Sequence, residues 1–99
     1  MKTSFFYAFI LLIVFFGLSG FANEALYGKC KGCHGADGSK KAYGVANPLK
    51  GQSQEDIINK LNGYKNGTYG GAQKNIMANQ VKNLSDTDIK SLAEYISKF

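Results

Sequence analysis

The pentapeptide Cys30-Lys31-Gly32-Cys33-His34 constrains this chain more than any other stretch. It reads C-x-x-C-H and uses both cysteines and the single histidine of the 99-residue sequence. Thiols three positions apart sit about one turn apart on a helix. Each can add to one vinyl group of a haem, and the histidine that follows can set its imidazole on the iron. Three other chemistries use the same spacing. A thiol–disulfide redox pair is one, but a thioredoxin-like fold needs a βαβ pattern and more residues. A structural zinc site is short of its fourth ligand, and His34 stands too close to Cys33 for the usual finger spacing. A plain structural disulfide is the third.

The N-terminus bears on the choice. Lys2 gives a short charged start, Phe5 to Leu18 is an unbroken apolar run with one glycine, and Ser19-Gly20-Phe21-Ala22 offers small residues for a peptidase. This is the layout of a secretory signal. The expectation is a cleaved signal peptide over residues 1–22 and one domain over 23–99, located in the periplasm. The alternative is an uncleaved membrane tether, although the run is short of the roughly 20 residues that span a bilayer. A domain this small builds a limited core and usually needs a disulfide, a metal or a cofactor to hold it.

All twelve basic side chains are lysines. Without Lys2, eleven lysines face seven acids, a charge of about +4. A positive surface of this kind steers an acidic partner. Nucleic acid is not expected, because arginine is absent and no basic run exceeds Lys40-Lys41.

Hydrophobic spacing predicts an all-α chain of three to four short helices joined by long loops. The first runs from an Asn23 cap to about Cys33, with Leu26, Cys30 and Cys33 on one face. Gly35 and Asp37-Gly38 signal a turn, and loop continues to Gln52 through Gly44, Pro48 and Gly51. Ser53 caps a second helix with Glu55 and Asp56 in its first turn; Ile57, Ile58 and Leu61 form its buried stripe, and Gly63 is a plausible stop. The glycines of Asn66 to Gly71 match no phosphate-binding spacing and read as a loop. A short third helix is expected near Ala72 to Asn79. Ser85 caps the last, where Ile89, Leu92, Ala93, Ile96 and Phe99 recur at helical spacing. Loops this long in so small a domain suggest that they wrap something.

If that is a haem, its iron needs a second axial ligand. A second histidine is unavailable. Met77 is the one methionine outside Met1, which makes it the candidate, with a lysine or water as the alternatives.

The order of motifs resembles the class I cytochromes c, and within them the small bacterial cytochrome c-553 group. The matching stretches are Ala25 to Lys40, Asn47 to Gln52, Gly63 to Gly71, and the helix from Ser85. The resemblance implies one covalently attached haem c per chain, held by Cys30 and Cys33, with His34 and Met77 as axial iron ligands. It also implies that the Pro48 carbonyl accepts a bond from the ligand histidine, and that the terminal helices cross with Leu26 against Leu92 and Tyr95. The chain departs from many relatives in having Ala78 where proline stands beside the methionine. Tyr64 and Tyr69 lie where pocket or propionate contacts are plausible. Haem is attached to such proteins outside the cytoplasmic membrane, in keeping with an export signal.

The function implied is a non-enzymatic, monomeric one-electron carrier between redox proteins of oxidase, dehydrogenase or hydrogenase type, docking through an acidic face on the partner. A thiol–disulfide protein using Cys30 and Cys33, and a haem-based ligand binder with an open sixth position, are the competing functions.

Overall fold

The structure, a computed structural model, describes residues 23–99, so the expected signal segment lies outside the described residues. Residues 23–27 are helical, Gly28–Cys30 tighten into a 3-10 turn and Lys31–His34 resume the α-helix. Together these form α1. A 3-10 turn at Ala42–Gly44 interrupts the long loop that follows. Helix α2 spans Gln54–Asn66, α3 spans Lys74–Val81 and α4 spans Asp86–Ser97. No strand occurs among the described residues. The all-α expectation is met.

The caps follow local chemistry. Ser53 Oγ accepts the Asp56 N–H at 3.1 Å. At α4 the cap is reciprocal: Ser85 Oγ accepts the Asp88 N–H at 3.0 Å, while Asp88 Oδ2 accepts the Ser85 N–H at 3.1 Å. Such a box satisfies two otherwise orphaned donors. The third helix begins at Lys74 and ends at Val81, two residues later at each end than expected. It has no side-chain cap to mark its start.

Gly63 does not end α2. The helix continues to Asn66 and stops at Gly67, which takes the left-handed conformation (φ 76°) that glycine adopts without a Cβ penalty. The Thr68 N–H then closes on the Gly63 carbonyl at 2.9 Å. Gly63 serves packing instead: a Cβ there would lie 2.5 Å from the Tyr69 Cβ. The loop after α2 folds back over the one helical position with no side chain.

The core is a layer of Ile57 and Leu61 from α2, Val81 and Leu84, and Ile89, Leu92, Ala93 and Ile96 from α4. Ile58 is only partly buried against it. Helix α1 enters through Tyr27, which is fully buried. Its ring meets Phe99 edge-on at 4.9 Å and Tyr95 at 5.8 Å. Leu26 is partly buried against the same cluster. The terminal helices therefore meet, but the residue at the centre of the contact is Tyr27.

Replacing Gly63 with alanine tests the close approach. Helix propensity alone would favour alanine by about 1 kcal/mol. We expect the clash with Tyr69 to outweigh it and Gly63→Ala to lower the unfolding free energy by about 1–3 kcal/mol, measured by chemical denaturation. A stabilised variant would contradict the packing role.

Candidate functional site

Helix α1 delivers the C-x-x-C-H motif with local backbone bonds that leave little freedom. The Gly35 N–H closes on the Lys31 carbonyl at 2.8 Å, and Gly35 turns the chain away at φ 85°. The Lys40 N–H donates to the His34 carbonyl at 3.0 Å. From the core side, the Tyr27 hydroxyl donates to the Gly35 carbonyl at 2.5 Å. Burial raises the Tyr27 phenol to about 12, so it remains a donor across ordinary pH. The exit from His34 is thus fixed from both sides.

Cys30, Cys33, His34 and Met77 all line one cavity of about 640 Å³. That volume lies within the roughly 300–1,000 Å³ common for small-molecule and cofactor sites. Its floor is the core itself, through Leu61, Leu92 and Ile96. Tyr64 and Tyr69 stand together in the wall, rings edge to face at 5.0 Å. Three lysines, Lys29, Lys60 and Lys74, share the lining. The loop containing Ala42, Tyr43 and Val45 contributes another wall; Tyr43 is 60% exposed and Val45 76% exposed, large apolar groups that open onto the cavity.

The donor set fits a haem. His34 is buried, and burial holds its imidazole below the usual histidine range, in the neutral form that can offer a lone pair to a metal. Its Nδ1 is buried without a hydrogen-bond partner among the described residues. An unsatisfied buried polar atom costs about 1–3 kcal/mol and calls for an occupant or a partner. Cys30 is partly buried, Cys33 is exposed, and both are free thiols. Burial pushes the Cys30 thiol up, with Cys33 adding to the rise and Lys29 opposing it. That is the reverse of the thiolate-stabilising environment of a redox-active C-x-x-C pair. No group of three or more His, Cys, Asp or Glu side chains suited to a metal ion gathers among the described residues.

Pro48 lies in the loop before α2. Its carbonyl accepts a bond from Gln52 Nε2 at 2.8 Å, Gln52 in turn accepts from Lys60 Nζ at 2.7 Å, and no bond reaches His34. A carbonyl has two lone pairs, so the Gln52 bond leaves one acceptor position.

Sequence reasoning missed three features of the site. Tyr27 shares helical spacing with Cys30 and His34, but its ring partners Tyr95 and Phe99 lie about 70 residues away and leave no local signal. Tyr43 combines φ 54° with an exposed ring. The wall from Ala42 to Val45 follows from the path of the loop and not from any spacing.

Comparison with known proteins agrees with this geometry. Residues 22–99 match the Cytochrome c family. A cytochrome c-553 of Nitratidesulfovibrio vulgaris is 53% identical over 74 residues, covering 75% of this chain and 72% of the relative. A cytochrome c-553 of Desulfomicrobium norvegicum is 48% identical over 82 residues, covering 82% of this chain and all of the relative. One from Helicobacter pylori is 40% identical over 93 residues, covering 86% and 93%. The chain belongs to the cytochrome c family, and within it to the c-553 group of class I cytochromes, proteins with one covalently attached haem c whose C-x-x-C-H motif is met here by Cys30, Cys33 and His34.

Proposed function

We propose that this chain is an exported, monomeric one-electron carrier in which Cys30 and Cys33 hold one haem c through thioether links and His34 and Met77 fill the two axial positions of its iron. The observation that carries this reading is the single cavity lined by all four side chains. When bound, the haem supplies a one-electron couple at its iron.

The residues of the chain do the rest. Cys30 and Cys33 would tether the group to α1, and the fixed exit of His34 would present a neutral imidazole to the metal. The Met77 thioether would be a weaker donor than a second nitrogen and so favour a higher reduction potential. Leu61, Leu92 and Ile96 keep water from the floor. The second lone pair of the Pro48 carbonyl is available to His34 Nδ1–H, a bond that would fix the ring and tune the metal. Lys29, Lys60 and Lys74 bring positive charge to a cavity that also exposes Tyr43 and Val45. Such a surface suits a redox protein with an acidic docking face, of oxidase, dehydrogenase or hydrogenase type. Residues 1–22 serve as a cleaved signal that sends the domain to the periplasm. No helix among the described residues is long and apolar enough to cross a membrane.

The purified protein should keep haem through a denaturing gel and show the spectrum of a c-type cytochrome; loss of haem in the gel would end this reading. Met77→Ala should lower the reduction potential by more than about 59 mV, a tenfold change for a one-electron couple, and let carbon monoxide bind the ferrous iron at neutral pH. An unchanged potential would reassign the sixth ligand. Rates with an acidic redox partner should fall by about tenfold between low and physiological salt, and a flat response would remove lysine steering. N-terminal sequencing of the mature protein distinguishes a start at Asn23 from a retained tether.

A further inference from the structure

Helix α3, which carries Met77, is weakly held by its own sequence. It is eight residues long, has no side-chain cap at its start and buries a single residue, Val81. A helix of this length has little intrinsic stability, because a costly nucleus is spread over few bonds. It packs against α2, but the cavity lies between Met77 and the motif in α1. Something must fix the helix across that gap.

One direct bond does so. Lys29 Nζ donates to the Gln80 carbonyl at 2.6 Å, joining residues 51 apart in sequence. Lys29 immediately precedes Cys30, and Lys29, Cys30, Met77 and Gln80 all line the same cavity. Gln80 lies in the last turn of α3, where carbonyls lack an intrahelical partner and carry the negative end of the helix dipole. A lysine ammonium there satisfies an orphan acceptor and opposes that partial charge. A second lysine, Lys65, makes the equivalent bond just beyond the helix, to the Leu84 carbonyl at 2.6 Å. That bond starts from α2 and does not cross to the motif.

We propose that Lys29 is a positioning residue for the sixth ligand: by clipping the C-terminal end of α3 to the segment that bears Cys30, it holds Met77 on the haem iron and sets how readily the methionine lets go. This rests on Met77 being the axial ligand. Lys29 does not touch the iron; it limits the outward swing of α3 that must precede release of the thioether. Breaking the clip leaves the haem attached through Cys30 and Cys33 and the imidazole of His34 in place. The change should therefore appear in the lability of the methionine bond.

The test uses the ferric holoprotein and imidazole as the incoming ligand. Imidazole is neutral at mildly alkaline pH, so removing a lysine charge does not alter its approach. Displacement of the methionine is followed by loss of the red charge-transfer band of thioether-ligated ferric haem. Lys29→Met keeps an apolar stem and removes the donor; the rate of imidazole capture should rise roughly three- to tenfold, the range expected when one hydrogen bond is lost. Lys29→Arg restores a donor and should bring the rate back to within about twofold of the parent. Lys90→Met, which removes an exposed charge from α4, should leave it unchanged.

A capture rate in Lys29→Met equal to the parent's, with the band present in both, overturns the Lys29 role alone. So does an equal rise in Lys90→Met, which would mark a general charge effect, or a rise that persists undiminished in Lys29→Arg. Absence of the band in the parent itself overturns the Met77 ligation, and the positioning role of Lys29 with it.

Discussion

Tyr27 is the contact on which the rest of the site depends. Its ring is buried between Tyr95 and Phe99, so it fastens α1 to α4. Its hydroxyl reaches out of the same core to the Gly35 carbonyl, directly after the motif histidine. One side chain thus joins the apolar layer to the turn that aims His34. Aromatic residues suit this work because they combine a large buried surface with a polar tip that needs a partner.

The core that Tyr27 helps to build is incomplete. Leu61, Leu92 and Ile96 pack on one side and form the floor of a cavity on the other. In a small domain such a gap is costly, since its lining loses contacts that a filled interior would have. The buried Nδ1 of His34 adds an unsatisfied polar atom at the same place. A flat apolar group with a metal at its centre would fill the first of these, and a carbonyl such as that of Pro48 would satisfy the Nδ1–H. The cofactor is therefore part of the core as well as the source of the redox chemistry.

The loops that complete the cavity are held by backbone acceptors and lysines more than by apolar packing. Lys29 reaches Gln80, Lys65 reaches Leu84 and Lys60 reaches Gln52. The first joins the motif segment to the end of the Met77 helix, and the other two fasten α2 to the loop before it and to the turn after α3. The lysine content, which from composition alone suggested only a positive surface, also provides internal ties. Long aliphatic stems can cross a loop while the ammonium finds a carbonyl.

Much of this was written locally. C-x-x-C-H specifies attachment chemistry because its spacing is that of one helical turn. Ser53 and Ser85 specify helix starts because their hydroxyls satisfy nearby N–H groups, whatever lies beyond. The four-residue recurrence in α4 specifies which face is buried. Features that depend on partners distant in sequence were not legible. Gly63 looked like a stop because a lone glycine usually ends a helix, and its real role appears only when Tyr69 folds back over it. The resemblance to class I cytochromes c implied a helix contact through Leu26, which does pack against the core, but the fully buried aromatic between the terminal helices is Tyr27. The sequence by itself determined the helices, the haem-attachment motif and the family. The tertiary structure alone decided that His34 and Met77 share one cavity, that Lys29 ties the helix of one to the segment of the other, and that Pro48 bonds to Gln52, since each needs groups brought together by folding rather than by spacing.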